Sequence, residues 1–306
     1  MNALPCASPE RNHVLIIPVV LSICLLVVAT LSLVGWWVTW ISVFSNFTHI
    51  TAFLGWLLGV YGFAFMRGAG RSITMFLALA VGLSSTVVVL SAPGIWPSAI
   101  DRSYGSKVKV VQFNLKPGRD DEDAIVEWLT NERPDVVILQ DLTTSLSDRL
   151  SVALPELTLS CTHQCQVAMA SRFPLRRQRS YGRGGYGLTP ATLVSHVQIE
   201  GMDTIFVATH LARPTFSGKS SPTEMVQVQS ANISRLKGIL SLSPRDRMIV
   251  IGDMNAAPWS WPGIRLQRAL SLPRRTSAIA TWPAVSWMPP ILPIDHVYAG
   301  KSWQTI

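Results

Sequence analysis

Polar residues recur in this 306-residue chain just where apolar runs end. Asn114 follows Val-Val-Gln-Phe, Asp141 follows Val-Val-Ile-Leu-Gln, and His210 follows Phe-Val-Ala-Thr. Asp253 and Asn255 follow Ile-Val-Ile-Gly, and Asp295-His296 open the last apolar run. Strand ends on one rim of a sheet converge on a crevice, so such residues can share a site. Asp141, Asp253 and Asp295 are hard oxygen ligands suited to Mg²⁺, with Mn²⁺ or Ca²⁺ as alternatives. His210, His296, Asn114 and Asn255 add a base and neutral hydrogen-bonding groups. Carboxylates, a divalent ion and histidine suit phosphoester hydrolysis, in which the metal offsets phosphate charge while a positioned group activates water. Each residue alone is equally an ordinary cap or turn former; the recurrence carries the reading.

The elements that must position them are readable from periodicity. Residues 107–115 alternate like a strand, and 135–139 form a short, wholly apolar strand of the buried kind. Further strands are predicted over 166–171, 191–199, 204–209, 248–251 and 296–299. Residues 120–133 have helical composition with acids in the first turn, where the helix dipole favours them. Ser221-Pro222-Thr223-Glu224 is a capping box with proline at the first helical position, opening a helix to about Leu240. Strands and helices mix without strict βαβ alternation, which predicts a layered α/β or α+β sandwich rather than a TIM barrel.

The ordered motifs Val-Gln-Phe-Asn114-Leu, Ile-Leu-Gln-Asp141, Ser171-Arg-Phe-Pro174, Ala-Thr-His210-Leu, Gly-Asp253-Met-Asn255 and Pro-Ile-Asp295-His296 resemble those of the endonuclease/exonuclease/phosphatase superfamily, in particular its deoxyribonuclease and sphingomyelinase branches. The resemblance covers about 107–300. It implies a four-layer sandwich of two β-sheets flanked by helices. It also implies in-line attack of water on a phosphodiester or phosphomonoester. By the same resemblance Asp141 and Asp295 are metal ligands with Asn114, and Asn114 and Asn255 position phosphate and metal. Asp253 orients or deprotonates the attacking water, His210 steadies the phosphate, and His296 is a base or transition-state donor. Asp141 stands where the family usually has glutamate. No Asp or Glu lies between Ala256 and Ile294 to orient His296, which leaves Thr281 or Ser286 as its partners.

The rest of the chain sets the location. Only 14% of residues are charged, against about 25% in an ordinary soluble domain. No Asp, Glu, Lys or Arg occurs between Asn12 and Met66. Apolar runs of membrane-spanning length cover about 14–34, 47–66 and 73–92. Residues 1–92 therefore read as a three-helix membrane anchor, 93–106 as a Pro/Gly/Ser-containing tether, and 107–306 as the catalytic domain. Arg67 and Arg71 lie between the second and third runs, while the loop around 36–46 has no Lys or Arg. The positive-inside rule then puts the N-terminus inside a cytoplasmic (inner) membrane and the large domain on the extracytoplasmic side. Cys161 and Cys165 are expected to pair in that oxidising compartment, two free buried thiols being the alternative.

Arg172, Arg176, Arg177, Arg179 and Arg183 lie in a stretch without acids. They read either as contacts to substrate phosphate, Arg172 and Arg176 foremost, or as a solvated basic loop. Trp259, Trp261 and Trp282 line a pocket mouth or pack in a core. The expected partners are a lipid bilayer and a phosphoester substrate: a lipid head group, a nucleic acid or a small molecule. The competing expectation is a catalytically weak or inactive membrane protein that binds an anionic partner through its arginine-rich loop.

Overall fold

A computed structural model of the protein describes residues 10–34, 39–92, 95, 107–116, 118, 120–182, 187–214, 221–285 and 287–303. The chain divides into two compact units, residues 1–92 with 259–261, and residues 93–258 with 262–306. The expected tether, apart from residue 95, lies outside the described residues, as do residues 36–38 of the loop after the first apolar run, Arg183 and Ser286.

The first unit holds helices α1 (Glu10–Val34), α2 (Thr48–Phe65) and α3 (Gly68–Leu90). All three are long and apolar enough to cross a membrane by length and composition. Helix α3 begins before the predicted apolar run, so Arg71 stands in its first turn, with its guanidinium 4.9 Å from the centre of the Phe63 ring. Residues Thr39–Phe47, expected as a loop, form a 3₁₀ helix. Helices α2 and α3 approach closely because both present glycine. A Cβ on Gly55 would lie 2.7 Å from the Gly82 nitrogen. Small residues are what let apolar helices meet backbone to backbone. The Thr51 and Ser85 hydroxyls pair at 3.1 Å and the Trp56 indole donates to Thr86 Oγ1 at 3.0 Å. Trp259, 5% exposed, belongs to this unit.

The second unit runs β1 (Val110–Asn114), α4 (Glu122–Glu132), β2 (Val136–Gln140), α5 (Thr144–Ala153), β3 (Thr158–Cys161), β4 (Val167–Ser171), β5 (Leu175–Tyr181), β6 (Ala191–Ile199), β7 (Met202–His210), α6 (Pro222–Leu240), β8 (Met248–Asp253), α7 (Trp261–Leu270) and β9 (Asp295–Ala299). One sheet has the order β1-β2-β4-β3, the other β5-β6-β7-β8-β9. Val136, Ile138, Val167 and Met169 of the first sheet meet Leu193, Phe206, Ala208, Ile249 and Ile251 of the second in one apolar cluster. The outer face of the first sheet is covered by Ile125 and Leu129 of α4 and Leu146 and Leu150 of α5. Ile233, Leu236 and Leu240 of α6 and Leu266 and Leu270 of α7 cover the outer face of the second. The result is a sandwich of two mixed sheets flanked by helices.

Local chemistry fixes the helix ends. Asp121 caps α4 by accepting from the amides of Asp123 and Ala124, and the Ser221–Glu224 capping box opens α6. Strands β3 and β5 and helices α5 and α7 were not anticipated from the sequence. Strand β5 is the instructive case. It is an edge strand, exposed along its arginines and bulged between Arg176 and Arg179, so it has no buried face to write an apolar period. Charge and a bulge are common protections of a sheet edge.

Parallel pairing of β1 with β2 and of β7 with β8 brings four strand C-termini to one rim. At that rim Gly252 has φ 148°, and an added Cβ would lie 1.9 Å from the Thr209 carbonyl oxygen. Gly252→Ala is therefore expected to part β7 from β8 and destabilise the protein by about 3 kcal/mol or more. Chemical denaturation of the full chain in detergent checks this. An unchanged midpoint would mean the rim yields without penalty.

Candidate active site

The inner faces of the two sheets turn from apolar to polar as they approach this rim. Side chains alternate along a strand, so every second residue faces the seam between the sheets. Along β1 the inner face reads Val110, Gln112, Asn114, and along β2 it reads Val136, Ile138, Gln140. Strand β7 contributes Phe206, Ala208 and then His210; β8 contributes Ile249, Ile251 and then Asp253. Strand β9 runs the other way and begins polar, with Asp295 before Val297 and Ala299. Apolar side chains thus hold the sheets together along most of the seam, and the polar set is gathered where the seam opens.

Register fixes the centre of the set. Asp253 pairs with His210 across the parallel β7–β8 ladder and with Asp295 across the antiparallel β8–β9 ladder. Asn114 Nδ2 donates to Asp253 Oδ2 at 2.7 Å, and the Asn255 amide donates to Asp253 Oδ1 at 2.8 Å. Gln112 Nε2 donates to Asp295 Oδ1 and to Gln140 Oε1, each at 2.7 Å. His210 stands between two carboxylates, its Nε2 3.9 Å from Asp253 Oδ2 and its Nδ1 3.9 Å from Asp141 Oδ1. These are charge contacts rather than hydrogen bonds. Asn255 donates its side-chain amide to the Leu211 carbonyl at 2.8 Å, and Gln229 of α6 donates to the Asn255 carbonyl at 2.9 Å. Asp141 and Asn255 both sit in the left-handed region, φ 54° and 48°. That is uncommon for residues other than glycine and recurs at functional sites.

Burial pushes the Asp253 carboxyl up to about 6. The negative charge of Asp295 adds to the rise, while His210, the Asn255 amide and Asn114 oppose it. A buried carboxylate facing a second carboxylate calls for positive charge. The donor set fits a hard divalent cation: Asn114 Oδ1 is buried without a donor, and the carboxylates of Asp141, Asp253 and Asp295 surround the same rim. Among the described residues no three His, Cys, Asp or Glu side chains form a ready-made metal cradle. A ligand set of one or two carboxylates, an amide oxygen and water is nevertheless what Mg²⁺ takes when substrate phosphate completes its shell.

The structure thus brings together Asn114, Asp141, His210, Asp253, Asn255 and Asp295. It adds Gln112 and Gln140, which motif reading passed over although Gln112 lies two residues before Asn114 on the same strand face. Three residues expected at the site lie elsewhere. His296 pairs with Gly252 rather than Asp253, so its side chain leaves the opposite face of the sheet. There it is 1% exposed, 6.0 Å from the Tyr298 ring, with Nε2 bonded to the Ala256 carbonyl at 2.9 Å. Thr281 does not orient it; its hydroxyl accepts from the Ile294 amide. Arg172 forms an ion pair with buried Asp135, which also accepts from the Lys109 amide. Asp135 precedes β2, so Arg172 stands about 16 Å from the Gln140 end of that strand. Arg176 pairs with His196, five residues along β6 from the Ala191 that faces His210, and is likewise at the far rim. Cys161 and Cys165 are joined by a disulfide.

The chain belongs to the Endonuclease/Exonuclease/phosphatase family, which matches residues 111–306. Among solved structures, a β-hairpin deletion mutant of beta toxin from Staphylococcus aureus is similar at 13% identity. It covers 66% of this chain and 90% of its own, with a TM-score of 0.54. A two-residue variant of the same toxin with bound magnesium ions covers 66% and 86% at 15% identity, TM-score 0.52. A mannosyl-6-phosphatase of Bacteroides thetaiotaomicron covers 65% and 87% at 13% identity, TM-score 0.52. No curated protein is similar in sequence to this chain.

The far-face position of His296 has a consequence for stability. Burial, then the nearby Arg274 charge, lowers its pKa from 6.5 to about 3. Between those values the unfolded chain binds a proton that the folded chain does not, so this group removes stability as pH falls through the window. Asp253 acts with the opposite sign between 3.8 and about 6, because there the folded state binds the proton. Comparison with His296→Gln, which keeps a donor for Ala256 but does not titrate, isolates the histidine. From about pH 7 to about pH 4.5 the wild type should lose roughly 2–3 kcal/mol relative to the variant. Denaturation at both pH values checks this; parallel profiles would contradict the buried placement.

Proposed function

We propose that this protein is a membrane-anchored, divalent-cation-dependent phosphoesterase that hydrolyses a phosphodiester or phosphomonoester. The observation that carries the reading is the gathered set of Asp253, Asp295, Asn114, Asp141 and His210 at one rim, in a chain of the Endonuclease/Exonuclease/phosphatase family. Asp253 is the group that takes a proton from water. Asn114 and the Asn255 amide grip both its oxygens, so it is aimed as well as ionised at neutral pH. Asp295, Asp141 and Asn114 Oδ1 would hold Mg²⁺, or Mn²⁺ or Ca²⁺, which offsets phosphate charge and lowers the pKa of water. The water oxygen bonds to phosphorus as the opposite ester bond breaks, and the departing oxygen takes a proton from solvent. His210 steadies the phosphate oxygens.

The apolar N-terminal helices support anchoring, and Arg67 and Arg71, at the start of α3, support a cytoplasmic N-terminus with the catalytic domain outside. A lipid head group, nucleic acid or small phosphoester meets the chemistry of the rim. The second reading, a catalytically weak or inactive membrane protein that binds an anionic partner, would use Arg176, Arg177 and Arg179, exposed along edge strand β5, while Arg172 is paired with Asp135.

Turnover of a bis-aryl phosphodiester by the full chain in detergent should require Mg²⁺ or Mn²⁺ and stop in EDTA. Asp253→Asn and His210→Ala should each lower kcat by about 10²-fold or more. Undiminished turnover in excess EDTA would refute the cation requirement. For topology, protease added to intact spheroplasts should digest the large domain; digestion only after lysis would reverse the orientation.

A further inference from the structure

The turn that joins β3 to β4 lies directly beside the strand end that presents Asp141. Asp141 is the first residue after β2, and its amide donates to the Gln166 carbonyl at 3.0 Å. The next amide, of Leu142, donates to the Cys165 carbonyl at 3.0 Å. Cys165 ends the loop closed by the Cys161–Cys165 disulfide, whose Cα atoms are 4.9 Å apart, and Gln166 is the residue that follows it. The loop itself is bent: Gln164 and Cys165 have φ 56° and 47°. Inside it, the Cys165 amide donates to Thr162 O at 2.9 Å and the Val167 amide to Thr162 Oγ1 at 3.0 Å. Asp141 is also left-handed, φ 54°. A residue other than glycine holds that conformation only where its surroundings impose it. Its amide and that of Leu142 are held by the Gln166 and Cys165 carbonyls, just after and at the end of a loop that a covalent bond closes.

We propose that Cys161 and Cys165 are positioning residues: their disulfide fixes the loop carbonyls that hold Asp141 toward the rim, so the redox state of this bond tunes divalent-cation binding at the site. The inference rests on the reading of Asp141 as a cation ligand. Second-sphere groups that orient a ligand typically change metal affinity about 10–100-fold when removed. Both cysteines are half-buried, and His163 and Gln164 between them are exposed, so a small dithiol can reach the bond. Reduction balances simply. One dithiol thiolate displaces a cysteine sulfur, the second closes the reagent's own disulfide, and two electrons and two protons end on Cys161 and Cys165 as thiols. The core of β2 is held by apolar packing on both faces and does not depend on the bond.

The test compares the oxidised full chain in detergent micelles, the same protein reduced with dithiothreitol, and Cys161→Ser/Cys165→Ser. Hydrogen exchange reads the amides of Asp141 and Leu142, with Val137–Leu139 as internal control. Paramagnetic resonance reads Mn²⁺ affinity. Reduction should speed exchange at Asp141 and Leu142 by about tenfold or more while leaving the β2 control unchanged. It should weaken Mn²⁺ binding by about tenfold. The double variant should match the reduced protein and ignore dithiothreitol. Equal exchange at the two amides, or equal Mn²⁺ affinity, in oxidised and reduced protein overturns the proposal, as does the absence of Mn²⁺ binding in every form. Redox-dependent Mn²⁺ binding without turnover of any phosphoester leaves the proposal standing and refutes the phosphoesterase reading instead.

Discussion

Two carboxylates, Asp253 and Asp295, face each other across an antiparallel ladder on the buried side of a sheet. Like charges directly opposite one another destabilise a strand pair, and burial sharpens the conflict. The other features of the rim answer it. Gln112 donates to one member of the pair, Asn114 and the Asn255 amide donate to the other, and His210 stands within charge contact. Burial first, and then the Asp295 charge, hold Asp253 partly toward its neutral form. The site is a place where the fold tolerates unfavourable electrostatics because the apolar seam behind it secures the strands.

That seam explains why the polar set is narrow. The two sheets share one inner core, and each inner-facing row can afford polar atoms only where the rows reach solvent. The four strands that end at the rim therefore change character within two residues, from Val110 to Gln112, Ile138 to Gln140, Ala208 to His210, and Ile251 to Asp253. Parallel pairing of β1 with β2 and of β7 with β8 makes these changes coincide in space. The outer faces follow separate rules. They meet helices, and a polar residue there, such as His296, must be satisfied locally and kept uncharged.

Much of the fold was legible because buried strands write their period plainly. The limits of β6 were read to the residue, and β2, β4 and β8 within one or two. Strand β5 was not, since an exposed arginine-rich edge has no apolar face. The short helix α5 carries only Leu146 and Leu150 to the core, too few to declare a helical stripe. For the site, Asn114, Asp141, His210, Asp253, Asn255 and Asp295 were visible at strand ends. His296 was assigned through resemblance to the family's Asp-His pair, but successive residues of a strand point to opposite faces, so Asp295 and His296 cannot both face the seam. The same alternation, applied backward from Asn114, would have found Gln112.

The central claim is that Asp295, with Asp141 and Asn114, holds a divalent cation beside Asp253, and calorimetric titration of Mg²⁺ into the full chain in detergent tests it most directly. The account predicts one saturable Mg²⁺ site per chain, weakened by about tenfold or more in Asp295→Asn. No saturable binding, or equal affinity in wild type and variant, would contradict it.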